Sequence, residues 1–308
     1  MEYSKLSSRR DNHINIYTLR ERFRKLGIHA IMVTIAILSL FPAALIISGS
    51  FSSNDAIINS GYRLWPQDFS MDAYTFLFKQ PEQIRQSYLV STATTLIGTC
   101  LGLLFSAMFA YAISRSTFRL RNILAFIVFF TLLFNGGMVP LYILVTKYLN
   151  LRDTIWALIL PLLINPFFIL ILRTFFKDLP QDYIDAAMVD GAGEWRIFFQ
   201  IAAPLAKPAL ATIGMFYLLV YWNDWFHALL FINKPELMPL QYTLHQILAN
   251  VQFIQQNMQT ISSADINLML VETIRMAMAV IAAGPATIAF LFFQKYFVRG
   301  LTIGGLKG

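Results

Sequence analysis

The residues that could do chemistry in this 308-residue chain fall into a few groups, and none has the spacing of a catalytic centre. The four histidines, His13, His29, His227 and His245, are too scattered in sequence to form a metal cluster. No G-x-x-x-x-G-K-[ST] phosphate cradle, H-E-x-x-H or G-x-S-x-G occurs. No catalytic or metal-binding residue is therefore expected. Two other groups stand out. One is a set of acids, Asp178, Asp182, Asp185, Asp190 and Glu194, within one stretch between Arg173 and Lys207. The other is Tyr221-Trp222-Asn223-Asp224-Trp225. Aromatic faces stack on sugar C–H surfaces, and Asn and Asp bind hydroxyls, so this mixture suits a carbohydrate path. The competing reading is an aromatic belt at a membrane interface plus one interhelical hydrogen bond. Asn135, beside Gly136 and Gly137, is a lesser path candidate; the alternative there is a glycine-permitted kink.

The elements that must position these residues follow from composition. The chain is 57% hydrophobic and 13% charged, with a mean hydropathy of +0.57. A soluble domain carries about 25% charge and about 45–50% apolar residues. An all-α integral membrane protein is expected. A spanning helix needs about 20 mainly apolar residues. Six segments qualify: Gly27–Ser48, Tyr88–Ser114, Ile123–Val145, Thr154–Leu172, Pro208–Phe231 and Ile274–Phe293. The first run is longer than the roughly 7–15 residues of a cleaved signal's apolar core, so it is read as an uncleaved span. The expected organisation is a basic cytoplasmic segment over residues 1–26 and a single transmembrane domain over 27–308. Cys100, inside an apolar run, is expected to be a small buried hydrophobe.

The net charge of +7 encodes topology. Seventeen of the 24 Lys and Arg fall before span one, between spans two and three, between four and five, and after six. Six fall on the other side, and Arg275 lies near the outer end of span six. Both termini are thus placed in the cytoplasm. The basic N-terminal stretch reads as a retention signal beside anionic lipid rather than a nucleic-acid site.

Against that pattern, the stretch between spans four and five is acidic and longer than a connector needs. Pro180 suits a helix start, with Asp182 and Asp185 near the positive end of its dipole. Gly191 can adopt positive φ as a helix stop. A second short helix is expected over Glu194 to Gln200, anchored to the bundle by Trp195, Ile197, Phe198, Phe199 and Ile201. Ala186 and Ala187 give the first helix a small-residue face that another protein could approach closely.

The run Asp185-Ala186-Ala187-Met188-Val189-Asp190-Gly191-Ala192, then Phe198, Ile201, Pro204 and Pro208, resembles the EAA loop of ABC-importer permeases. Asp185 stands where Glu is usual, and Ala203 where Leu is usual. A second resemblance covers Gln294–Thr302 and the ending Gly305-Leu306-Lys307-Gly308, which look like the tail of carbohydrate-importer permeases of the MalG type. Tyr111-Ala112-Ile113-Ser114-Arg115, Gly137–Tyr142 and Tyr221–Trp225 agree, with wording similar to the LplC-like branch, associated with complex oligo- or polysaccharide uptake.

The resemblance implies a type I permease fold of six transmembrane helices, with a coupling loop at about 176–207. It implies a separate ABC ATPase dimer carrying ATP and Mg, and a second, MalF/LplB-like permease. It also implies an extracytoplasmic solute-binding protein and a carbohydrate substrate. The outer loops Phe51–Ser87 and Asn233–Glu272 are candidate docking surfaces for that binding protein, the second preferred. ATP-driven closure is expected to tilt spans four and five through the loop. Rival readings are an ABC permease for a non-sugar solute and an ion-coupled secondary transporter. The latter usually needs several intramembrane charges, and Asp224 stands nearly alone.

Overall fold

The computed structural model describes the backbone of residues 2–66, 68–79, 81–256 and 271–304, with the side chains of 21, 24–66, 68–79, 81–253 and 272–294. Among these residues no strand occurs beyond one isolated bridge, Ser52 to Phe69. The helices are α1 Glu2–Ser50, α2 Asn54–Ser60, α3 Asp72–Leu77, α4 Pro81–Ser114, α5 Arg121–Leu133, α6 Met138–Tyr148, α7 Trp156–Leu162 and α8 Pro166–Lys177. They continue as α9 Gln181–Val189, α10 Glu194–Leu205, α11 Lys207–Trp222, α12 Phe226–Phe231, α13 Leu240–Gln256 and α14 Val271–Gly304. Contacts divide the chain into two compact units, Met1–Tyr74 with Met269–Val280, and Thr75–Leu268 with Ile281–Gly308.

In the first unit the apolar part of α1 is exposed, including Ile31, Met32, Leu38 and Leu40. Its end is tied down locally. Phe51 stacks on Phe69 and Tyr74, and the Tyr74 hydroxyl donates to Ser50 Oγ at 2.8 Å. Glu272 accepts from the Tyr62 hydroxyl at 2.9 Å and pairs with Arg275 at 3.1 Å, the pairing that their three-residue spacing predicts.

The second unit is organised around α4, which packs against α8 and α11. Its buried face carries small residues about every fourth position: Ser87, Ser91, Thr95, Gly98, Gly102, Ser106 and Ala110. Leu89, Leu96 and Ile97 point outward. In an apolar surround hydrophobicity does not drive helices together, so small residues that let backbones approach take the inner face. A Cβ added at Gly98 would lie 2.4 Å from the Tyr221 ring, and one at Gly102 would lie 2.8 Å from Tyr217. The same logic corrects the expectation for Cys100, which is exposed on the outer side of α4.

Three long helices, Arg24–Ser50, Pro81–Ser114 and Glu272–Gln294, have the length and composition to cross a membrane. The other three expected spans are not single helices. The third is bent by 110° between α5 and α6. Gly137 there has φ +90°, and Asn135 Oδ1 accepts its N–H at 2.8 Å. The fourth is bent by 52° between α7 and α8, where Pro166 cannot continue the helix before it. Asn165 caps α8 by accepting from the Phe167 and Phe168 N–H groups. The fifth stops at Trp222, and α12 resumes after a three-residue break.

Hydroxyls on α11 repair the break in the fourth span. Tyr221 donates to Ile159 O at 2.9 Å. Tyr217 lies 3.2 Å from Leu163 O and 2.6 Å from Ser106 Oγ, and accepts from Asn165 N–H. Buried backbone groups freed by a bend need such partners.

The outer loops also hold structure. α2, α3 and the start of α4 occupy much of Phe51–Ser87. In the second loop, the preferred docking candidate, α13 forms over Leu240–Gln256. It buries Leu240, Thr243, Leu244 and Val251 at helical spacing and bonds α4 through Ser87–Thr243 and Ser91–Leu240. Residues 257–270 of that loop lie outside the described residues.

Candidate functional site

The loop between α8 and α11 is built as two helices with a glycine bend. Pro180 precedes α9, with Asp182 in its first turn. At the other end Gly191 N–H bonds Met188 O and Ala192 N–H bonds Ala187 O, with Gly191 at φ +80°. This is a Schellman stop, which needs left-handed backbone at the position of Gly191. Ile184 and Ala187, three apart, are buried and seat α9 on the bundle. Asp182, Asp185, Ala186 and Asp190 are exposed, and Ala192 is half-buried. Gln181 Nε2 donates to Asp185 Oδ1 at 3.2 Å.

α10 divides its residues by face. Ile197, Phe198 and Ala202 are buried, Ile201 is half-buried and Pro204 is exposed. Phe198 packs with Tyr111 and Phe176. Trp195 and Phe199 were expected as anchors too, but they are 66% and 53% exposed and stack on each other. They are four apart, which puts them on one face, away from the buried Ile197. With Val189, 88% exposed, they give the loop an uncovered apolar surface beside exposed acids.

Glu194 differs from the other acids. Its Oε1 lies 3.5 Å from Arg115 Nη2, and its Oε2 accepts from the Tyr111 hydroxyl at 2.8 Å. Arg115 follows the end of α4 and is 5% exposed. Sequence reading grouped Glu194 with the outward acids; proximity to Arg115, distant in the chain, is what sets it apart.

The five residues from Tyr221 to Trp225 split at the end of α11. Tyr221 and Trp222 are buried. The Tyr221 ring fills the space over Gly98, and Trp222 Nε1–H donates to Ala282 O at 2.9 Å. Asn223 is exposed and its side-chain amide donates to Leu219 O. Asp224 Oδ1 accepts from His227 N–H and sits 2.9 Å from His227 Nδ1, capping α12. Trp225 stacks on His245 at 4.4 Å. Asn135 is exposed but remote from this group in sequence, with its oxygen committed to the Gly137 turn. Sequence reading missed Asp153. Its carboxylate accepts from Asn233 N–H and Lys234 N–H, pinning the chain after α12. Those bonds, the Asn233 backbone bond first, hold Asp153 below the ordinary carboxylate value. Among the described residues no His, Cys, Asp or Glu cluster could hold a metal ion.

The family described as "Binding-protein-dependent transport system inner membrane component" matches residues 98–303. This chain belongs to that family. The match takes in α9, α10 and the whole 221–225 group. The permease is 39% identical over 271 residues to Protein LplC of Bacillus subtilis (strain 168), covering 88% of this chain and 90% of that one. It is 37% identical over 290 residues to the polygalacturonan/rhamnogalacturonan transport system permease protein YtcP of the same organism, covering 94% and 100%. A solved bacterial ABC transporter involved in import of the acidic polysaccharide alginate contains a chain that superposes with a TM-score of 0.74. The two are 29% identical, and the match covers 90% of this permease and 97% of that chain. The EAA-loop resemblance is thus borne out at the level of family, and the permease is an inner-membrane transport component.

Proposed function

We propose that this permease forms half of the translocation path of an ATP-driven, binding-protein-dependent importer for oligo- or polysaccharides. The observation that carries the reading is the α9–α10 surface, where Asp182, Asp185 and Asp190 lie exposed beside Val189, Trp195 and Phe199. An apolar patch of this kind, rimmed by charge, fits a protein partner. The partner is an ABC ATPase dimer that carries ATP and Mg; this chain binds neither and catalyses nothing. A second permease completes the path, and an extracytoplasmic binding protein delivers substrate. The three long helices, the bent pairs α5–α6 and α7–α8, and α11 with α12 are read as six spans, with both termini and the α9–α10 loop in the cytoplasm. A carbohydrate cargo is supported by the polysaccharides named for the relatives. Those names run against a non-sugar solute or an ion-coupled transporter.

On this reading the exposed Asn223 and Trp225, with Asp224 between them, are the part of the 221–225 group free to meet substrate, while Tyr221 and Trp222 shape the wall. The test is uptake of labelled oligogalacturonides into proteoliposomes holding the full complex. Gly191→Pro removes the positive φ that the bend requires. It is expected to abolish ATP-dependent uptake and ATPase co-purification while membrane insertion persists. Uptake that survives a scrambled 181–200 segment would sink the coupling assignment.

A further inference from the structure

We infer that Arg115 is a positioning residue that transmits movement of the α9–α10 loop to α4, with Glu194 as the partner it acts through. This rests on the loop being the ATPase docking surface. Arg115 reaches both loop helices across the Gly191 bend. Its Nη2 lies 3.5 Å from Glu194 Oε1 and 3.8 Å from Met188 Sδ. Tyr111, one turn back on α4, donates to the other Glu194 oxygen, and its ring lies 5.8 Å from the Arg115 guanidinium carbon. α8 joins the same point, because Arg173 Nε donates to Ile113 O at 3.2 Å. The last turn of α4 therefore holds α8, α9 and α10 together.

Two features make this a moving joint rather than a packed one. The Arg115 Nε is buried and has no partner, so the guanidinium is held at one corner, not as a two-pronged fork. A cavity of about 560 Å³ also opens beside the pair, lined by Phe105, Met108, Phe109, Phe118 and Trp195. On that side α10 is therefore tied to α4 by the pair and not by close packing. Separating the pair would strand a buried arginine, which is costly, so α4 follows α10 instead of releasing it. The force then enters the helix on which α8 and α11 pack, and not only the two segments that flank the loop.

The test uses the complete complex in proteoliposomes, with spin labels at Gln200 on α10 and Leu104 on α4. Between nucleotide-free and ATP–vanadate-trapped states the wild-type distance should stay constant. In Glu194→Gln it should change, and binding-protein-stimulated ATP hydrolysis should fall by roughly fivefold or more, the size of a modest coupling between sites. The reversed pair, Arg115→Glu with Glu194→Arg, should restore both. An unchanged distance and rate in Glu194→Gln would overturn the inference. So would loss of the assembled complex in that variant, which would make the pair an assembly contact, or a reversed pair that restores neither. Failure of the ATPase to co-purify with the wild-type chain would instead defeat the docking reading beneath it.

Discussion

α4 is held by its neighbours in opposite ways at two places along its length. Near the middle of α4, Tyr217 and Tyr221 lie against Gly98 and Gly102, and their hydroxyls serve Ser106, Ile159, Leu163 and Asn165. No charge is involved and no space remains for a Cβ. At the loop end, one ion pair and one hydrogen bond join Arg115 and Tyr111 to Glu194, with a cavity alongside. Several neutral bonds without a void define a fixed joint. One charged contact beside a void defines a joint that can move and still hold. The difference locates rigidity where the fourth apolar segment is broken, and freedom where a partner would push.

The strongest way to break this contrast is Gly98→Leu. The added atoms meet the Tyr221 ring, so the cost should exceed the roughly 1–3 kcal/mol typical of overpacking. Little monodisperse protein should survive size-exclusion chromatography in detergent. Next comes a pair of variants on α10. Phe198→Ala, which empties a buried site, should cost about 3 kcal/mol, whereas exposed Trp195→Ala should stay within about 0.5 kcal/mol. Thermal unfolding of the purified permease measures both, and equal losses would mean that both aromatics are anchors.

The tyrosines sharpen the comparison further. Tyr217→Phe leaves a buried break without its donor and should cost about 1–3 kcal/mol. Tyr111→Phe should cost about 1 kcal/mol or less, because Glu194 keeps Arg115 and is half open to water. The smallest effect is at Asp153. Its folded pKa lies below the ordinary 3.8, so its stabilising contribution is present above that value and fades as pH falls through the folded pKa. Thermal midpoints of wild-type protein should therefore decline more steeply below about pH 3.8 than those of Asp153→Asn. Parallel curves would mean the loop is held by other bonds.

Much of the loop could be read from residues alone. Pro180 and Gly191 are local signals, and both ends of α9 formed where such signals place them. Asn165-Pro166 was an equally local sign of a break, but it sat inside an apolar run that already satisfied the length of a span. α13 was legible as well, since Leu240, Thr243, Ile247 and Val251 fall on one helical face; their Gln and Asn neighbours masked it. The outward turn of Trp195 and Phe199 followed from their spacing, yet aromatic character argued for anchoring. Hydrophobicity separates inside from outside only where the outside is water, which is also why Cys100 came out exposed.

Sequence by itself determined that this chain belongs in a membrane, which loop departs from the charge pattern, and which family of transport components it joins. Those properties are written in composition and in short runs of neighbouring residues. Only the tertiary structure decided that Tyr221 mends a backbone break, that Gly98 must be glycine, and that Glu194 meets Arg115 and Tyr111. Each depends on side chains far apart in the chain, 83 residues apart for Tyr111 and Glu194. A charge on a loop looks the same in sequence whether it faces a partner or a buried arginine. The packing of α4 against its neighbours sets the distance, and the distance decides the role.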